Sequence, residues 1–240
     1  MLNGDVPIVP VGNTGVTGLC GLERHPTNGF LYGFTSGAQS KLYKIDPWDA
    51  TATEIGALNI GFVFEGSLVF GPNGTAYGCN AGEAERPVFF TLNLTTGRAT
   101  RVETIGSLPH DVNGLAFRSD GKLAGFDRES SRLLIFRPQD GVITESFELP
   151  LSIGEVGGMT VLEDVAYLNT SGIEGIFPGS NQLFKVDLMT GQTELWGPMT
   201  QGFPAGTGCS GLAAVPEPAS LIGLALGTLA LLRRSRRTSK

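Results

Sequence analysis

The chain is short of charge, of cysteine and of histidine. Charged residues make up 17% of its 240 positions, against roughly 25% in an average domain. Hydrophobic residues reach 41%, so a disordered chain is excluded and a sizeable core can be built. With 2 histidines and 3 cysteines, and no C-x-x-C pair, neither a zinc site nor a redox dithiol is indicated. No G-x-S-x-G, H-E-x-x-H, phosphate-binding loop or EF-hand loop occurs. No apolar run reaches the ~18 residues of an ordinary membrane-spanning helix. Basic residues are scarce in the body. Residues 216–240 hold five basic groups and one acid, a net of +4, which leaves −10 of the total −6 on residues 1–215. Phosphate binding needs clustered Lys and Arg, so nucleic acid is excluded as a partner.

Glycine is what the chain has most of. It takes 35 of 240 positions, roughly twice the usual share. That frequency marks many tight turns and therefore many short strands. Self-comparison shows three anchors recurring in one order. A glycine opens a short apolar stretch at Gly18, Gly66, Gly114, Gly158 and Gly211. Next come Leu31-Tyr32-Gly33, Ala76-Tyr77-Gly78, Leu123-Ala124-Gly125 and Ala166-Tyr167-Leu168. The third anchor is Leu42-Tyr43-Lys44-Ile45, Phe89-Phe90-Thr91-Leu92, Leu133-Leu134-Ile135-Phe136 and Leu183-Phe184-Lys185-Val186. Four repeats follow, at about 18–65, 66–113, 114–157 and 158–210.

Turn chemistry sets the strands within each repeat. Asn28-Gly29, Asn73-Gly74 and Asp120-Gly121 suit type I′ turns between the first two strands, while the fourth copy offers Glu163-Asp164 without glycine. After the third anchor, Gly97, Gly141 and Gly191 stand where a left-handed residue is needed, and Ala50 replaces glycine in the first copy. A fourth strand ends each unit, so each is a four-stranded antiparallel meander. Its third strand is apolar on both faces and must be covered on both sides. The expected architecture is all-β: a β-propeller-like array of four-stranded blades over residues 1–215, with a short C-terminal hydrophobic helix. Val6 to Val11 reads as a lone fourth strand and Gly211 to Val215 as a lone first strand. A fifth blade would then lack its middle strands, as if the N-terminus were incomplete.

The last 25 residues have their own order of parts. Val215-Pro216-Glu217-Pro218 precedes fourteen uncharged residues, 219–232, and then Arg233-Arg234-Ser235-Arg236-Arg237. Fourteen helical residues span only ~21 Å, but an arginine cluster cannot enter a protein core and can sit at a membrane surface. Ala219, Leu221, Leu224, Leu226, Leu229, Leu231 and Leu232 would form the membrane segment. Arg233, Arg234, Arg236 and Arg237 would hold its end in the cytoplasm. Gly223 to Gly227 also fits a small-xxx-small helix-pairing pattern.

Residues 216–240 resemble the PEP-CTERM sorting signal, in which Pro216, Glu217 and Pro218 would be the processing motif. The resemblance implies an exported bacterial protein sorted by an exosortase-type membrane enzyme. It implies transient anchoring in the inner membrane through the helix, then release to the cell surface or extracellular matrix, often beside exopolysaccharide. The repeats resemble loose bacterial propellers carrying Gly-Leu-Ala-Phe and Asp-x-x-Thr-Gly, as in 114–117 and 187–191. Export normally needs a basic and then apolar start. Met1 to Pro7 has none, which again reads as a missing N-terminal stretch.

Candidate chemistry in the body is sparse. Glu65, Asp111 and Glu155 precede the first strands of three repeats and could ring the channel mouth around a hard divalent cation. His110-Asp111 reads as a loop pair, because neighbours in a strand face apart. The G-x-G-x-x-G match at 206–211 is followed by a strand-like segment and a proline, not by the helix that a dinucleotide site needs. Cys20 and Cys209 lie near the two ends of the body, where ring closure could bridge them; an odd count leaves one thiol over, with Cys79 the third. The longest loop, 169–182, carries Ile173, Ile176 and Phe177 and could contact a partner. The leading functional reading is a non-enzymatic surface or matrix protein. The alternatives are an exported lactonase-like hydrolase using a channel cation, and a membrane-anchored partner of a secretion complex.

Overall fold

The computed structural model describes residues 11–81, 88–102, 112–128, 130–149, 156–170, 182–199 and 212–213. The described residues contain strands and no helix. Blade I holds β1 (Leu19–Arg24), β2 (Leu31–Thr35), β3 (Lys41–Ile45) and β4 (Ala52–Ala57). Blade II holds β5 (Glu65–Phe70), β6 (Ala76–Ala81), β7 (Val88–Leu92) and β8 (Ala99–Arg101). Blade III holds β9 (Val112–Phe117), β10 (Leu123–Asp127), β11 (Arg132–Phe136) and β12 (Ile143–Glu148). Blade IV holds β13 (Val156–Leu162), β14 (Val165–Thr170), β15 (Gln182–Asp187) and β16 (Thr193–Pro198). Each blade is an antiparallel meander in simple sequence order. The first strands lie innermost and pack in the order β1, β5, β9, β13, with β13 returning to touch β1. This is the expected all-β propeller arrangement of four blades.

Strands apolar on both faces are sealed between blades. Tyr32, Phe34 and Leu42 of blade I meet Leu68, Phe70 and Phe90 of blade II in one cluster. Val69, Cys79 and Phe89 of blade II meet Leu115, Leu134 and Phe136 of blade III in a second. Phe126, Leu133 and Ile135 of blade III meet Met159, Leu168 and Phe184 of blade IV in a third. Polar latches reinforce these seams. Ser67 Oγ accepts from the Leu115 N–H at 2.8 Å, and the Cys79 thiol donates to the Val112 carbonyl at 3.1 Å. Arg118, its side chain 3% exposed, reaches Asp120 and Glu145 in its own blade and the Leu188 carbonyl of blade IV.

The outer turns repeat with little variation. The residue four places after Asp46, Asn93, Arg137 and Asp187 donates its N–H back to that residue's carbonyl, at 3.0, 2.8, 2.8 and 2.8 Å. That residue is left-handed in every copy: Ala50 at φ 61°, Gly97 at 78°, Gly141 at 66° and Gly191 at 75°. Ala50 therefore carries the strain expected of an L-residue there, about 1–2 kcal/mol. Asp46, Asn93 and Asp187 also accept backbone N–H groups through their side chains, which explains the Asx residue at the start of the turn.

The inner turns differ from expectation. In the Asn73-Gly74 and Asp120-Gly121 pairs only the glycine is left-handed, at φ 79° and 81°. Gly74 and Gly121 donate to the carbonyls three residues back, Gly71 and Arg118, and these residues donate in turn to Thr75 and Lys122. The result is a type I turn closed by a bulge glycine. At Asn28-Gly29 the loop is one residue longer, with Gly29 donating to the His25 carbonyl. The two-residue type I′ geometry instead occurs in blade IV, where Glu163 and Asp164 have φ 52° and 60° and Leu162 pairs with Val165. Tertiary bonds hold it there: Asp164 Oδ1 accepts from the Ser119 N–H at 2.6 Å, and its carbonyl accepts from the Leu188 N–H at 2.9 Å.

The glycines that open the repeats are also out of register. Pairing places Leu22, Leu68, Leu115 and Met159 opposite Gly33, Gly78, Gly125 and Leu168. Gly21, Gly114 and Gly157 then sit at bulges in β1, β9 and β13, and β5 has none. Gly18 belongs to the turn before β1. At Gly21 a Cβ would lie 2.7 Å from the Phe34 ring and 3.2 Å from the Leu68 N, so the bulge lets blade I close on blade II.

The expected strand at Val6 to Val11 lies outside the described residues except for Val11, which is irregular. Of the expected strand at 211–215, only Leu212 and Ala213 are described, and they too are irregular.

Candidate functional site at one end of the channel

The corrected register defines the channel lining. Glu23, Val69, Ala116 and Thr160 form one layer, each opposite the equivalent residue of its second strand: Tyr32, Tyr77, Ala124 and Tyr167. Arg24, Phe70, Phe117 and Val161 form the next layer. All eight line a cavity of about 260 Å³, completed by Pro26 and Leu162, at the end where the first strands run into their turns. Three blades give this layer apolar or hydroxyl groups. Blade I alone gives it charge.

Glu23 and Arg24 are both half-buried. Glu23 Oε1 accepts from the Arg24 N–H at 2.7 Å. Burial pushes the Glu23 carboxyl up to about 8, with that N–H and the Arg24 charge pulling the other way. The Arg24 Nε is buried and meets no acceptor. A Cβ on Gly29 would stand 3.1 Å from Arg24 Nη2, so the bare glycine makes room for the guanidinium. His25 closes the rim, with its ring 4.8 Å from that of Phe70 and 5.8 Å from that of Tyr32. Burial holds its pKa below the usual value. Its Nδ1 accepts from the Thr27 and Asn28 N–H groups, at 3.2 and 3.3 Å.

The opposite end of the channel holds Glu65, the first residue of β5, whose Oε2 accepts from Asn113 Nδ2 at 3.0 Å. Asp111 and Glu155, its expected cation-binding partners, lie outside the described residues, as does His110. Among the described residues no group of three or more His, Cys, Asp or Glu side chains could hold a metal ion. Cys20 is a free, buried thiol, and Cys209, its expected partner, lies outside the described residues. Residues 171–181 of the long loop, 206–211 and the whole segment 216–240 also lie outside them. That segment includes Pro216, Glu217, Pro218, the leucine-rich stretch and the arginine cluster. Among the described residues no helix is long and apolar enough to cross a membrane.

Register explains why sequence reasoning passed over Glu23 and Arg24. An alignment on Gly18 sets β1 three residues out of phase and takes both side chains out of the channel layer. Alignment on the second-strand Gly33, Gly78 and Gly125, with the bulge allowed for, would have found them.

The PEP-CTERM protein-sorting motif matches residues 214–237. With the four-blade body, this makes the chain a propeller-like domain followed by a PEP-CTERM protein-sorting motif. The motif implies export, processing by a membrane enzyme and transient membrane anchoring. No curated protein matches the chain in sequence. Among solved structures, a chain of a nidogen/laminin complex is 12% identical, with TM-score 0.54 over 82% of this chain and 85% of that one. Glutaminyl cyclase from Myxococcus xanthus is 15% identical, with TM-score 0.50 over 88% and 75%. Virginiamycin B lyase from Staphylococcus aureus is 13% identical, with TM-score 0.48 over 76% of this chain and 56% of the lyase. The chain thus spans a little over half of the lyase. At these identities the likeness is one of fold.

Proposed function

We propose that the chain is a non-enzymatic binding or structural protein, delivered to the cell surface or extracellular matrix and associated there with exopolysaccharide. The sorting motif at 214–237 carries this reading. In it, residues 219–232 anchor the chain in the inner membrane with the arginine cluster on the cytoplasmic side. An exosortase recognises Pro216, Glu217 and Pro218 and removes the anchor. The body supports a binding role: the four blades enclose a small, mostly apolar cavity with one carboxyl and one guanidinium. The alternative of a cation-dependent hydrolase draws on Glu65, whose carboxylate already accepts from Asn113. A copy tagged within the body, fractionated from cells with and without the processing enzyme, tests the proposal. Mass spectrometry should find a mature form outside the cell that lacks 233–240. A soluble cytoplasmic product with its last residues intact would overturn it.

A further inference from the structure

The carboxyl beside Arg24 is that of its strand neighbour Glu23, which burial holds toward its neutral form. Lys41, Arg118, Lys122, Arg132 and Arg137 all make ion pairs. Arg24 makes none among the described residues, and its buried Nε lacks an acceptor. Keeping a guanidinium half-buried without a partner is costly, and the cost is offset when an anion completes the pair. The cavity it lines measures about 260 Å³, while ~150 Å³ is enough to hold benzene. Its apolar walls include Phe70, Phe117, Val69 and Val161.

We propose that this end of the channel binds a small monocarboxylate with a flat apolar body about the size of one aromatic ring. The planar guanidinium of Arg24 matches a carboxylate in two-point geometry, and the apolar walls take the body. A dianion such as phosphate would bring a second charge that nothing else in the lining neutralises. Glu23 sets the condition for binding. While its carboxyl is protonated it does not repel the ligand and can donate a proton to a carboxylate oxygen; once ionised it opposes the anion. Glu23 pairs with Tyr32 across β2 and shares the cavity lining with Arg24 on its own strand, Val69 and Phe70 from β5, Ala116 and Phe117 from β9, and Thr160 and Val161 from β13. Arg24 is the only charged group among them. His25, at the rim, is held toward its neutral form. Affinity should therefore fall as pH rises through about 8.

This inference deepens the binding reading of the channel and is independent of the tail. Failure here leaves the C-terminal processing test standing, and failure there leaves this one standing. The probes are benzoate and its uncharged analogue benzamide, titrated calorimetrically into the full 240-residue chain at about pH 6.5 and about pH 9.5, either side of the Glu23 transition. Benzoate should bind saturably at the lower pH, about tenfold or more tighter than benzamide, and weaken by about tenfold at the higher pH. Arg24→Gln should lose about tenfold at the lower pH, and Glu23→Gln should keep the binding but lose the pH effect. Equal binding of benzamide, no saturable binding of benzoate at ~20 mM, or undiminished binding by a folded Arg24→Gln would each overturn the proposal. Should Arg24→Gln not fold, the benzoate-to-benzamide ratio and the pH response of the unmutated chain decide it.

Discussion

Gly56 in β4 and Gly97 in the outer turn of blade II meet backbone to backbone. A Cβ on Gly97 would overlap the Gly56 carbonyl, and one on Gly56 would overlap the Thr96 carbonyl. Two bare backbones let the outer edge of blade I lie directly on the next blade. Gly97→Ala should therefore cost about 3 kcal/mol or more, from positive φ and overpacking together. Gly121 is the control: its φ is 81°, but nothing stands within 4 Å of a Cβ there. Gly121→Ala should cost only about 1–2 kcal/mol. Urea midpoints of the two variants separate blade contact from backbone strain; equal losses would show that the contact contributes nothing.

The blade IV hairpin places two ordinary side chains in left-handed geometry. Glu163 is exposed and its backbone is at φ 52°. Glu163→Asn should stabilise the fold by about 0.5–1 kcal/mol, because Asn tolerates this region. Asp164→Asn should not match it, since the Asp164 carboxylate holds the Ser119 N–H at 2.6 Å. Thermal unfolding of both variants checks the pair.

Glu23 should make stability depend on pH in the reverse of the usual carboxylate sense. Its folded pKa, about 8, lies above the unfolded value of 4.5. Between these two values the folded chain holds one more proton than the unfolded chain, so stability falls as pH rises across that window. Glu23→Gln should raise the urea midpoint at about pH 8 and leave it nearly unchanged at about pH 4. Identical shifts at both would contradict the assignment.

Arg118 should show the ordinary sign. Its guanidinium holds Asp120 well below the usual carboxylate range and pulls Glu145 down to about 2, with help from Lys122. Both depressed pKa values add stability above the unfolded carboxylate range, and this is lost as pH falls through the folded values. Arg118→Met also strands the Leu188 carbonyl and should cost about 2 kcal/mol near neutral pH. Chemical denaturation at about pH 7 and about pH 2.5 should show the gap between variant and parent narrowing in acid.

The Cys20 thiol should be inert. Burial first, and then the nearby Glu65 charge, push it up to about 12, so almost no thiolate forms at neutral pH. Peptide mapping after brief alkylation should find Cys20 unlabelled in the folded chain and labelled after denaturation.

Much of this fold was legible from the repeats alone. The third anchors became β3, β7, β11 and β15, because runs apolar on both faces have no other place than between blades. Ala50 was identifiable as a left-handed residue from its place beside Gly97, Gly141 and Gly191. What escaped depended on contacts distant in sequence. The type I′ turn formed at Glu163-Asp164 because Ser119 and Leu188 hold Asp164, and no local preference announces that. The bulges at Gly21, Gly114 and Gly157 shifted the inner strands by one residue each, and a sequence period cannot show a residue that has no partner. The channel pair Glu23 and Arg24 was hidden because Gly18, in the turn before β1, stands three residues ahead of the bulge glycine Gly21. The sorting tail, by contrast, was legible as a linear signal that requires no fold.

Among the described residues, the three inter-blade clusters are shared unequally. Blades II and III each contribute to two of them, and blades I and IV to one. Unfolding free energy in such an array accumulates seam by seam. In hydrogen exchange the amides of β6, β7, β10 and β11 should be the slowest and open together. Blades I and IV, which meet each other through β1 and β13, should exchange earlier, so that the ring would part first at that seam under load.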